Sequence, residues 1–537
     1  MKPRILIIGL DAATLDLVEP WASEGRLPVL AGLMKEGTSC PFLSTPNMHS
    51  ASAWTSILSG LNPGRHGLYV FSDRDFATGK VEFFNGGDRT GELITQHLAR
   101  HGLSSGLMNV PMTYPAASCG PGYTVSGLDA PSLNEKAFYP EDLRAELFSK
   151  FPDYNFSPTG LGDLMRAGRV RDAMNRWLAL IETQTAAAEY LLEARPADFF
   201  MTVFTASDWG GHNLWPASGS EAGNGDALLL IYRALDGAIG RLLERCDQHT
   251  HVFVISDHGM GPHTGASYHI TDWLEAAGFL VRKRGASSTN LMGLARDAAR
   301  RALPGFVKES LKAGIGSDRV KRMQSMEKDT FYSSIDWERT TAYSEPGRHV
   351  ININLTGRNL GGIVPAADYD TVRDEVIGRL TEWTDPKGRR AVDHVVKREE
   401  VYKGPFAERA SDLYVYWNPE ADFGDPPGEV KARGFWWKGD HRRHGLLICK
   451  GPAVRACATI EPPVVYDLAP TVMHLAGLPA PDGLDGRVIE EMCTEEFQRN
   501  NPVRFEQSDA AREGDRISLS QSEEESVAEK LRSLGYM

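Results

Sequence analysis

The sequence lacks the long apolar run that a membrane-spanning helix requires. Such a helix needs about 20 consecutive apolar residues, and no stretch of the 537-residue chain approaches that length. Near the amino terminus, basic residues precede the short run Ile5–Ile8, but Gly9 and Asp11 follow it directly. We therefore expect a buried first strand here, rather than a secretory signal, and no association with a membrane.

Cysteine is scarce, and the sequence contains no CxxC pair. The six cysteines are scattered along the chain, at Cys40, Cys119, Cys246, Cys449, Cys457 and Cys493. Scattered single cysteines are typical of reduced thiols in the core or on the surface, so the sequence predicts a cytoplasmic protein without a disulfide framework.

Basic residues are fewer than acidic ones. The chain has 58 Lys and Arg against 71 Asp and Glu, for a formal net charge of −13. Sequence-independent binding to a nucleic-acid polymer needs surplus positive charge, so we do not expect it. A small anionic substrate remains compatible with this charge, because such a molecule responds to the local field of its site.

Three short apolar runs indicate the fold class. They are Ile5–Ile8, Phe199–Phe204 and His251–Ile255, and each ends near polar residues. Continuous apolar runs of this length suit strands that are buried on both faces, as in a parallel sheet. Segments with the periodicity of a helix separate these runs, for example residues 226–246. The alternation predicts an α/β protein with a doubly wound, mostly parallel central sheet flanked by helices.

The predicted domain organisation is one catalytic core over residues 1–495, followed by a polar, acidic tail over 496–537 with a short helix at its end. Helical insertions are expected at about 132–193 and 283–326. The second is rich in Lys and Arg; it either covers a site and recruits an anionic substrate, or is a solvated helical face. A strand followed by a helix is expected over 341–380 as part of the core.

Ser50 begins a helical pattern that ends at Gly60. This predicts Ser50 as the N-cap residue, and a serine at that position often does no more than cap the helix. The alternative is a functional hydroxyl, because the amino-terminal end of a helix stabilises an alkoxide or a phosphate.

Six further side chains are candidate metal ligands because most lie at or near predicted strand ends, where sites of such folds collect. They are Asp11, Asp208, His212, Asp257, His258 and His441. Taken singly, each is also compatible with a turn or a surface loop. Taken together, oxygen and nitrogen ligands suit zinc, manganese or iron. Two divalent cations would also balance three carboxylates and a serine alkoxide.

Several motifs together resemble a known family. The matching stretches are Ile5–Asp11, Ser50–Gly60, Asn62–Gly67, Ser256–Pro262, His441–Arg442 before Gly451–Pro452, and Asp467–Val472 before Gly477–Pro479 and Asp485–Arg487. In these the chain resembles the alkaline phosphatase superfamily, and within it the type I phosphodiesterase/nucleotide pyrophosphatase family. The resemblance covers residues 3–130, 195–280 and 340–490 and implies an alkaline phosphatase-like core.

The resemblance also implies roles for individual residues. Asp11, Ser50, Asp257 and His258 are similar to the ligands of one metal ion, and Asp208, His212 and His441 to those of a second. Ser50, four residues before Trp54, corresponds to the nucleophile, and Ser52 is the alternative. His263 and His444 are further histidines near the site to which the resemblance assigns no role. The implied activity is hydrolysis of small anionic phosphate esters, such as phosphodiesters or nucleotide-like substrates, through a phosphoseryl intermediate. The implied cofactors are two divalent metal ions, for which zinc is the first choice and manganese or iron the alternatives.

One departure from the family pattern concerns substrate preference. Family members carry an asparagine shortly after a His-Gly motif. In this chain the motif is His66-Gly67, and it is followed by Leu68 and Tyr69. A phosphomonoesterase or phosphomutase on the same scaffold therefore remains an alternative, as does a metal-binding pseudoenzyme. The absence of a CxPxR string argues against a sulfatase. The sequence leaves the oligomeric state open.

Overall fold

The computed structural model describes residues 2–118, 120–158, 160–215, 224–283, 331–424, 426–427, 437–507, 514 and 516–534. The predicted insertion at 283–326 lies outside the described residues except for Lys283, so its role stays a prediction. No helix within these ranges is both long and apolar enough to cross a membrane.

The strands of the described ranges are short, and they are β1 Ile5–Leu10, β2 Thr38–Leu43, β3 Ser72–Arg74, β4 Val81–Phe83, β5 Ser105–Val110, β6 Gly122–Ser126, β7 Phe138–Tyr139, β8 Phe199–Phe204, β9 His251–Ile255, β10 Gly259–Pro262, β11 Ala342–Tyr343, β12 Val350–Ile353, β13 Val392–Lys397, β14 Leu413–Trp417, β15 Gly439–Arg442, β16 His444–Lys450, β17 Ala480–Pro481 and β18 Phe505–Glu506.

The α-helices are α1 Leu15–Ser23, α2 Pro28–Glu36, α3 Ser50–Ser59, α4 Pro63–His66, α5 Ile94–Arg100, α6 Asp142–Lys150, α7 Leu161–Arg166, α8 Val170–Ala194, α9 Ala206–Leu214, α10 Asn224–Leu243, α11 Ala266–Ala276, α12 Tyr369–Thr381, α13 Arg398–Val401, α14 Leu468–Leu475, α15 Glu495–Asn500 and α16 Gln521–Leu534. Short 3-10 helices occur at Gly86–Asp88, Glu135–Ala137, Ala366–Asp368, Ala407–Arg409, Val465–Asp467 and Glu490–Met492.

The central sheet has eight strands in the order β2-β16-β9-β1-β8-β5-β6-β7. Strands β9, β1, β8, β5 and β6 pair in parallel. Antiparallel pairs, β2 with β16, β16 with β9, and β6 with β7, complete the two edges. The prediction of a mostly parallel, doubly wound sheet is therefore confirmed.

Helices cover both faces of this sheet. Along β1, Leu6 and Ile8 belong to an apolar cluster that includes side chains of α2, α8 and α10. Ile5 and Ile7 belong to a second cluster, on the opposite face, which includes side chains of α3, α5 and α14. Because both faces are buried, the strand has no polar positions, which explains the uninterrupted apolar run in the sequence.

The strand and helix expected over 341–380 are present as β12 and α12, but the expectation that they belong to the core is wrong. β12 lies in a separate sheet of order β11-β12-β14-β13, which we call the second sheet. In β12 only Ile351 and Ile353 are buried, and they pack in a separate apolar cluster. This alternation is that of an antiparallel sheet with one covered face.

The helix expected near the carboxyl terminus is present as α16. Its apolar side chains Val527 and Leu531 are buried in the cluster that covers the first face of the central sheet. Ser526 Oγ donates to the carbonyl of Pro131 at 2.6 Å. The end of the tail therefore packs against the core, whereas the division of the chain at residue 495 stays a prediction.

Candidate active site

Three predicted ligands lie together because their strands are parallel neighbours. Asp11 directly follows β1, Asp208 lies in the first turn of α9 after β8, and Asp257 directly follows β9. In the sheet register, Leu10 is level with Phe204 and Gly9 with Ile255. The carboxyl ends of the three strands therefore meet at one edge, which is where such sheets build their sites.

Asp11, Asp257 and His258 form one compact group, and all three are fully buried. The Nε2 atom of His258 lies 3.3 Å from Asp257 Oδ2 and 3.8 Å from Asp11 Oδ1. One ligand atom from each residue lies within 4.8 Å of the others, which is close enough for a shared metal ion. The hydroxyl of Ser50 joins this group, at 3.2 Å from Asp11 Oδ1 and 3.1 Å from His258 Nε2.

A second group consists of Asp208, His212 and His441. Asp208 and His212 lie on one face of α9, as their spacing predicts. The Nε2 atoms of His212 and His441 are 2.9 Å apart, and each lies 3.4 Å from Asp208 Oδ1. The two groups adjoin, because the ring centroids of His258 and His441 are 3.9 Å apart.

Each of the three histidines is held through its Nδ1 atom. His212 Nδ1 donates to the carbonyl of Gly439 at 3.0 Å, His258 Nδ1 to that of Gly259 at 3.1 Å, and His441 Nδ1 to that of Met48 at 2.7 Å. A carbonyl oxygen can only accept, so Nδ1 carries the proton, and Nε2 faces the carboxylates. Metal-binding histidines are held and oriented in this way in proteins.

The electrostatics of the first group indicate that a cation would stabilise it. Burial raises the pKa of Asp11 well above its ordinary value, and the carboxyls of Asp257 and Asp208 raise it further. Burial also raises the pKa of Asp257 to about 6. The Oδ2 atoms of Asp11 and Asp257 accept no hydrogen bond within the part of the chain that the structure describes. Buried carboxylates with open oxygen atoms fit a divalent cation.

The pKa values of the three histidines shift in different directions. Burial lowers the pKa values of His258 and His441 to about 4, so both are neutral at pH 7 and can act as ligands. Burial also opposes the charge on His212, but Asp208 more than offsets this and raises its pKa. In return, despite its burial, Asp208 has a lowered pKa because of His212 and His441.

Two residues beside the site have left-handed backbones, which are unfavourable for non-glycine residues. Ala12 has φ of 58°, and its N–H donates to Asp257 Oδ1 at 3.2 Å. Met48 has φ of 48°, and its carbonyl is the acceptor for His441. Strain of this kind persists where the surroundings impose it, and here both strained residues hold predicted ligands in place.

The prediction that Ser50 is the N-cap of its helix is wrong by one residue. The N-cap is His49, whose Nδ1 accepts a hydrogen bond from the N–H of Ala51 at 3.2 Å. Ser50 is the first helical residue. Because the His49 ring caps the helix, the Ser50 hydroxyl is available to Asp11 and His258. Gly60 ends the helix in the left-handed conformation, as expected.

The alternative candidates lie outside both groups. Ser52 Oγ bonds to Thr45 Oγ1 at 2.9 Å, Asn47 Oδ1 at 2.9 Å and the carbonyl of His49 at 2.8 Å, and none of these is a predicted ligand. The ring of His263 stacks on Tyr268 at 4.2 Å. His444 is exposed at the start of β16.

Asp440 is a site residue that the sequence analysis missed. It is buried, and its Oδ1 accepts the N–H of His441 at 2.9 Å and lies 3.0 Å from His349 Nε2. Although burial opposes ionisation, His349 and His263 hold the pKa of Asp440 well below its ordinary value. Its place directly before His441 was the available signal. His349 comes from the second sheet, and no local pattern pointed to it.

Comparisons with known proteins identify the family of the chain. The family model described as type I phosphodiesterase/nucleotide pyrophosphatase matches residues 5–446. A search of curated proteins found no match. Human ectonucleotide pyrophosphatase/phosphodiesterase 5 is similar in structure, with a TM-score of 0.51 and 14% identity over 92% of this chain and 100% of that one.

Two further solved structures are similar over most of their length. The murine form of the same protein, as an inactive variant in complex with AMP, has a TM-score of 0.50 and 14% identity over 92% of this chain and 100% of that one. A mutant of the alkaline phosphatase PafA has a TM-score of 0.50 and 15% identity over 92% and 99%. These identities support the fold alone. Because the family model spans more than half of the sequence, the chain belongs to the type I phosphodiesterase/nucleotide pyrophosphatase family.

Proposed function

We propose that this chain is a two-metal phosphoric ester hydrolase with Ser50 as its nucleophile. Family membership supports a phosphoester hydrolase. The observation that carries the proposal is the position of the Ser50 hydroxyl, 3.2 Å from Asp11 and 3.1 Å from His258, beside a second Asp/His group. A nucleophile held between two cations would occupy such a position.

In this proposal Asp11, Ser50, Asp257 and His258 hold one divalent ion, and Asp208, His212 and His441 hold the other. The donor set of carboxylates and imidazoles suits zinc, with manganese or iron as alternatives. When bound, two such ions supply Lewis acidity, which lowers the pKa of a serine hydroxyl and stabilises charge on phosphoryl and leaving oxygens.

Side chains of the protein take part in the chemical steps of the proposed reaction. Asp11 accepts the hydrogen bond of Ser50 and directs its oxygen. Ser50 Oγ loses its proton to solvent and forms a bond to phosphorus as the bond to the leaving oxygen breaks in line, which gives a phosphoseryl intermediate. The departing oxygen takes a proton from solvent and leaves as an alcohol. Water then attacks the phosphoseryl group, and the phosphate monoester formed from a diester leaves as Ser50 Oγ takes up a proton. The amino-terminal end of α3 favours the negative charge throughout.

The substrate in this proposal is a small phosphodiester or nucleotide-like ester. The AMP complex of the murine structural relative supports a nucleotide-like ligand. A second candidate, a phosphomonoesterase or phosphomutase, is favoured by the residues after Gly67. Leu68 is buried and Tyr69 packs in a tyrosine-rich cluster, so this stretch places no amide side chain at the site. Initial rates of the zinc-loaded protein on para-nitrophenyl phosphate and bis-para-nitrophenyl phosphate distinguish the two.

The experiment that tests the proposal is the pair of variants Ser50→Ala and Ser52→Ala. We expect Ser50→Ala to abolish turnover while zinc content stays near two per chain, because six other ligands remain. Ser52→Ala is the matched control, since it removes a hydroxyl of the same helix, and we expect it to retain activity. Activity in Ser50→Ala, with loss in Ser52→Ala, would assign the nucleophile to Ser52. Zinc-loaded wild-type protein that hydrolysed no phosphate, sulfate or phosphonate ester would support the pseudoenzyme alternative.

A further inference from the structure

Four buried tyrosines pack together with Met48 of the loop that precedes Ser50, and two of them belong to the second sheet. We call them the tyrosine cluster, and its members are Tyr69, Tyr402, Tyr414 and Tyr416. Tyr402 follows α13, and Tyr414 and Tyr416 lie on β14. Each has less than a tenth of its surface exposed, and together they pack around Met48 in an apolar cluster distinct from those of the two sheets.

Two members of the cluster hydrogen bond to the loop of residues 46–48. Tyr416 Oη donates to the carbonyl of Pro46 at 2.9 Å. Tyr402 Oη donates to Asn47 Oδ1 at 2.9 Å and accepts the N–H of Asn47 at 3.1 Å. Burial raises the pKa of Tyr402 well above its ordinary value, so its hydroxyl keeps its proton and stays a donor. Tyr416 of the second sheet and Tyr402, which follows α13, therefore both hydrogen bond to the loop.

The same loop contacts both the nucleophile helix and a predicted ligand. Asn47 Oδ1 also accepts a hydrogen bond from Ser52 in α3, at 2.9 Å. The next residue, Met48, has the left-handed backbone noted above, and its carbonyl accepts His441 Nδ1 at 2.7 Å. A left-handed methionine persists only when its surroundings impose that conformation. Tyr402 and Tyr416 bind the two residues immediately before it.

We propose that Tyr402 and Tyr416 are positioning residues for the second metal site. Through the loop 46–48 they fix the Met48 carbonyl, which in turn directs His441 Nε2 towards Asp208 and His212. The proposal rests on the proposed function, because it concerns the geometry of a ligand in that site. The proposal gives a residue of the second sheet, which is distant in the sequence, a role in orienting a ligand of the metal site at the edge of the central sheet.

Tyr69 provides a matched control within the same cluster. Its hydroxyl donates to the carbonyl of Phe406 at 3.0 Å, and Phe406 is not part of the loop. Tyr69→Phe and Tyr416→Phe each remove one buried hydroxyl and one hydrogen bond to a backbone carbonyl. They differ in whether that carbonyl belongs to the loop that holds His441.

The experiment compares wild-type protein with Tyr402→Phe, Tyr416→Phe and Tyr69→Phe. Three quantities are measured: zinc affinity by competition with a chromophoric chelator, hydrogen exchange of the backbone amides of residues 44–53, and kcat and KM on bis-para-nitrophenyl phosphate. We expect Tyr402→Phe and Tyr416→Phe to speed exchange in the loop. We also expect each to weaken one of the two zinc sites and to lower kcat by about 10-fold, as for other groups that orient metal ligands. KM and the unfolding midpoint should match those of Tyr69→Phe.

Equal zinc affinity in Tyr402→Phe, Tyr416→Phe and Tyr69→Phe would overturn the positioning role, whether or not loop exchange differs. Wild-type protein that binds two zinc ions but hydrolyses no ester would overturn the proposed function alone, since zinc affinity and exchange would still report on the loop. Wild-type protein that binds no zinc would overturn both.

Discussion

Asp412, directly before β14 of the second sheet, and Asp257, at the edge of the central sheet, are both fully buried, yet their surroundings differ. Asp412 accepts two hydrogen bonds of 2.6 Å from the guanidinium of Arg358 and one of 2.7 Å from the N–H of Ile353. Arg398 lies 3.3 Å away. Asp257 has no Lys or Arg as an ion-pair partner within the described residues, and its Oδ2 atom accepts no hydrogen bond there.

The difference separates a carboxylate that the chain itself pairs from one that we propose binds a metal ion. A buried carboxylate is stable only when paired and hydrogen bonded. For Asp412 the chain supplies the cation itself, so the site is complete. At the edge of the central sheet the chain supplies three carboxylates but no Lys or Arg partner for Asp257 within the described residues, and we propose that metal ions supply the positive charge. The following four predictions test this contrast, from the largest expected effect to the smallest.

Asp257→Asn should abolish the first metal site. Asparagine keeps the shape of the side chain and can still accept the N–H of Ala12, but it loses the charge that a zinc ion requires. We expect zinc content to fall from two to one per chain, and turnover to fall by more than about 100-fold, the upper range for groups that only orient metal ligands. Metal analysis and initial rates measure this, with Asp412→Asn as the control that keeps both zinc ions. Two tightly bound ions in Asp257→Asn would contradict the assignment.

Asp412→Ala should instead destabilise the fold. It removes the ion-pair partner of Arg358 and one of the two acidic partners of Arg398, which keeps Glu408. We expect the free energy of unfolding to fall by about 3–5 kcal/mol, which is typical when one member of a buried ion pair is removed. Denaturant melts of the zinc-loaded protein measure the change, and metal content should stay at two per chain. A variant as stable as the wild type would show that Asp412 does not hold the second sheet together.

Relative to the metal-free Asp257→Asn variant, the metal-free wild-type protein should lose stability as the pH rises from about 4 to about 6. Burial raises the pKa of Asp257 from its ordinary 3.8 to about 6, so the native state binds this proton more tightly than the unfolded state does. The stabilisation is complete below the unfolded pKa and is lost as the pH passes the native one. A shift of about two pKa units corresponds to roughly 3 kcal/mol.

Denaturant melts between pH 4 and 7, with chelator and with excess zinc, measure this effect. Zinc binds the ionised carboxylate, so it should stabilise the wild-type protein more as the pH rises. The metal-free Asp257→Asn variant is the reference, because it cannot titrate at this position but keeps His258 and His441, whose lowered pKa values contribute in the opposite direction. An equal pH dependence in the two proteins would assign it to groups other than Asp257.

Arg358→Lys should have the smallest effect of the four. Lysine keeps the positive charge beside Asp412 but cannot make the two parallel hydrogen bonds of a guanidinium. We expect the free energy of unfolding to fall by about 1–2 kcal/mol, with zinc content and activity unchanged. Thermal or denaturant melts measure the difference. A loss as large as that in Asp412→Ala would mean that hydrogen-bond geometry, rather than charge, dominates at this buried pair.

Sequence analysis could predict the central sheet and most of the candidate site for one physical reason. A strand buried on both faces leaves a continuous apolar run, and the polar residue that ends the run marks the edge where parallel strands present their side chains. Asp11 and Asp257 carry this signal directly. Asp208 adds the helical spacing to His212, and His441 was identified from a family motif.

The remaining features depend on contacts that leave no local pattern. Tyr402 hydrogen bonds to Asn47, which is 355 residues away in the chain. The sequence pattern of β12 predicts a strand but does not indicate which sheet the strand joins. Its assignment to the core was therefore wrong. The N-cap was displaced by one residue because His49 caps with its ring nitrogen, a role for which serine is the more usual residue.

The central claim is that two metal ions lie at the edge of the central sheet, one in each Asp/His group. An anomalous-scattering map collected at the zinc edge from crystals of the zinc-loaded protein tests it most directly. The account predicts two peaks, one bounded by Asp11, Ser50, Asp257 and His258 and the other by Asp208, His212 and His441. A single peak, or peaks beyond bonding distance of these side chains, would contradict it.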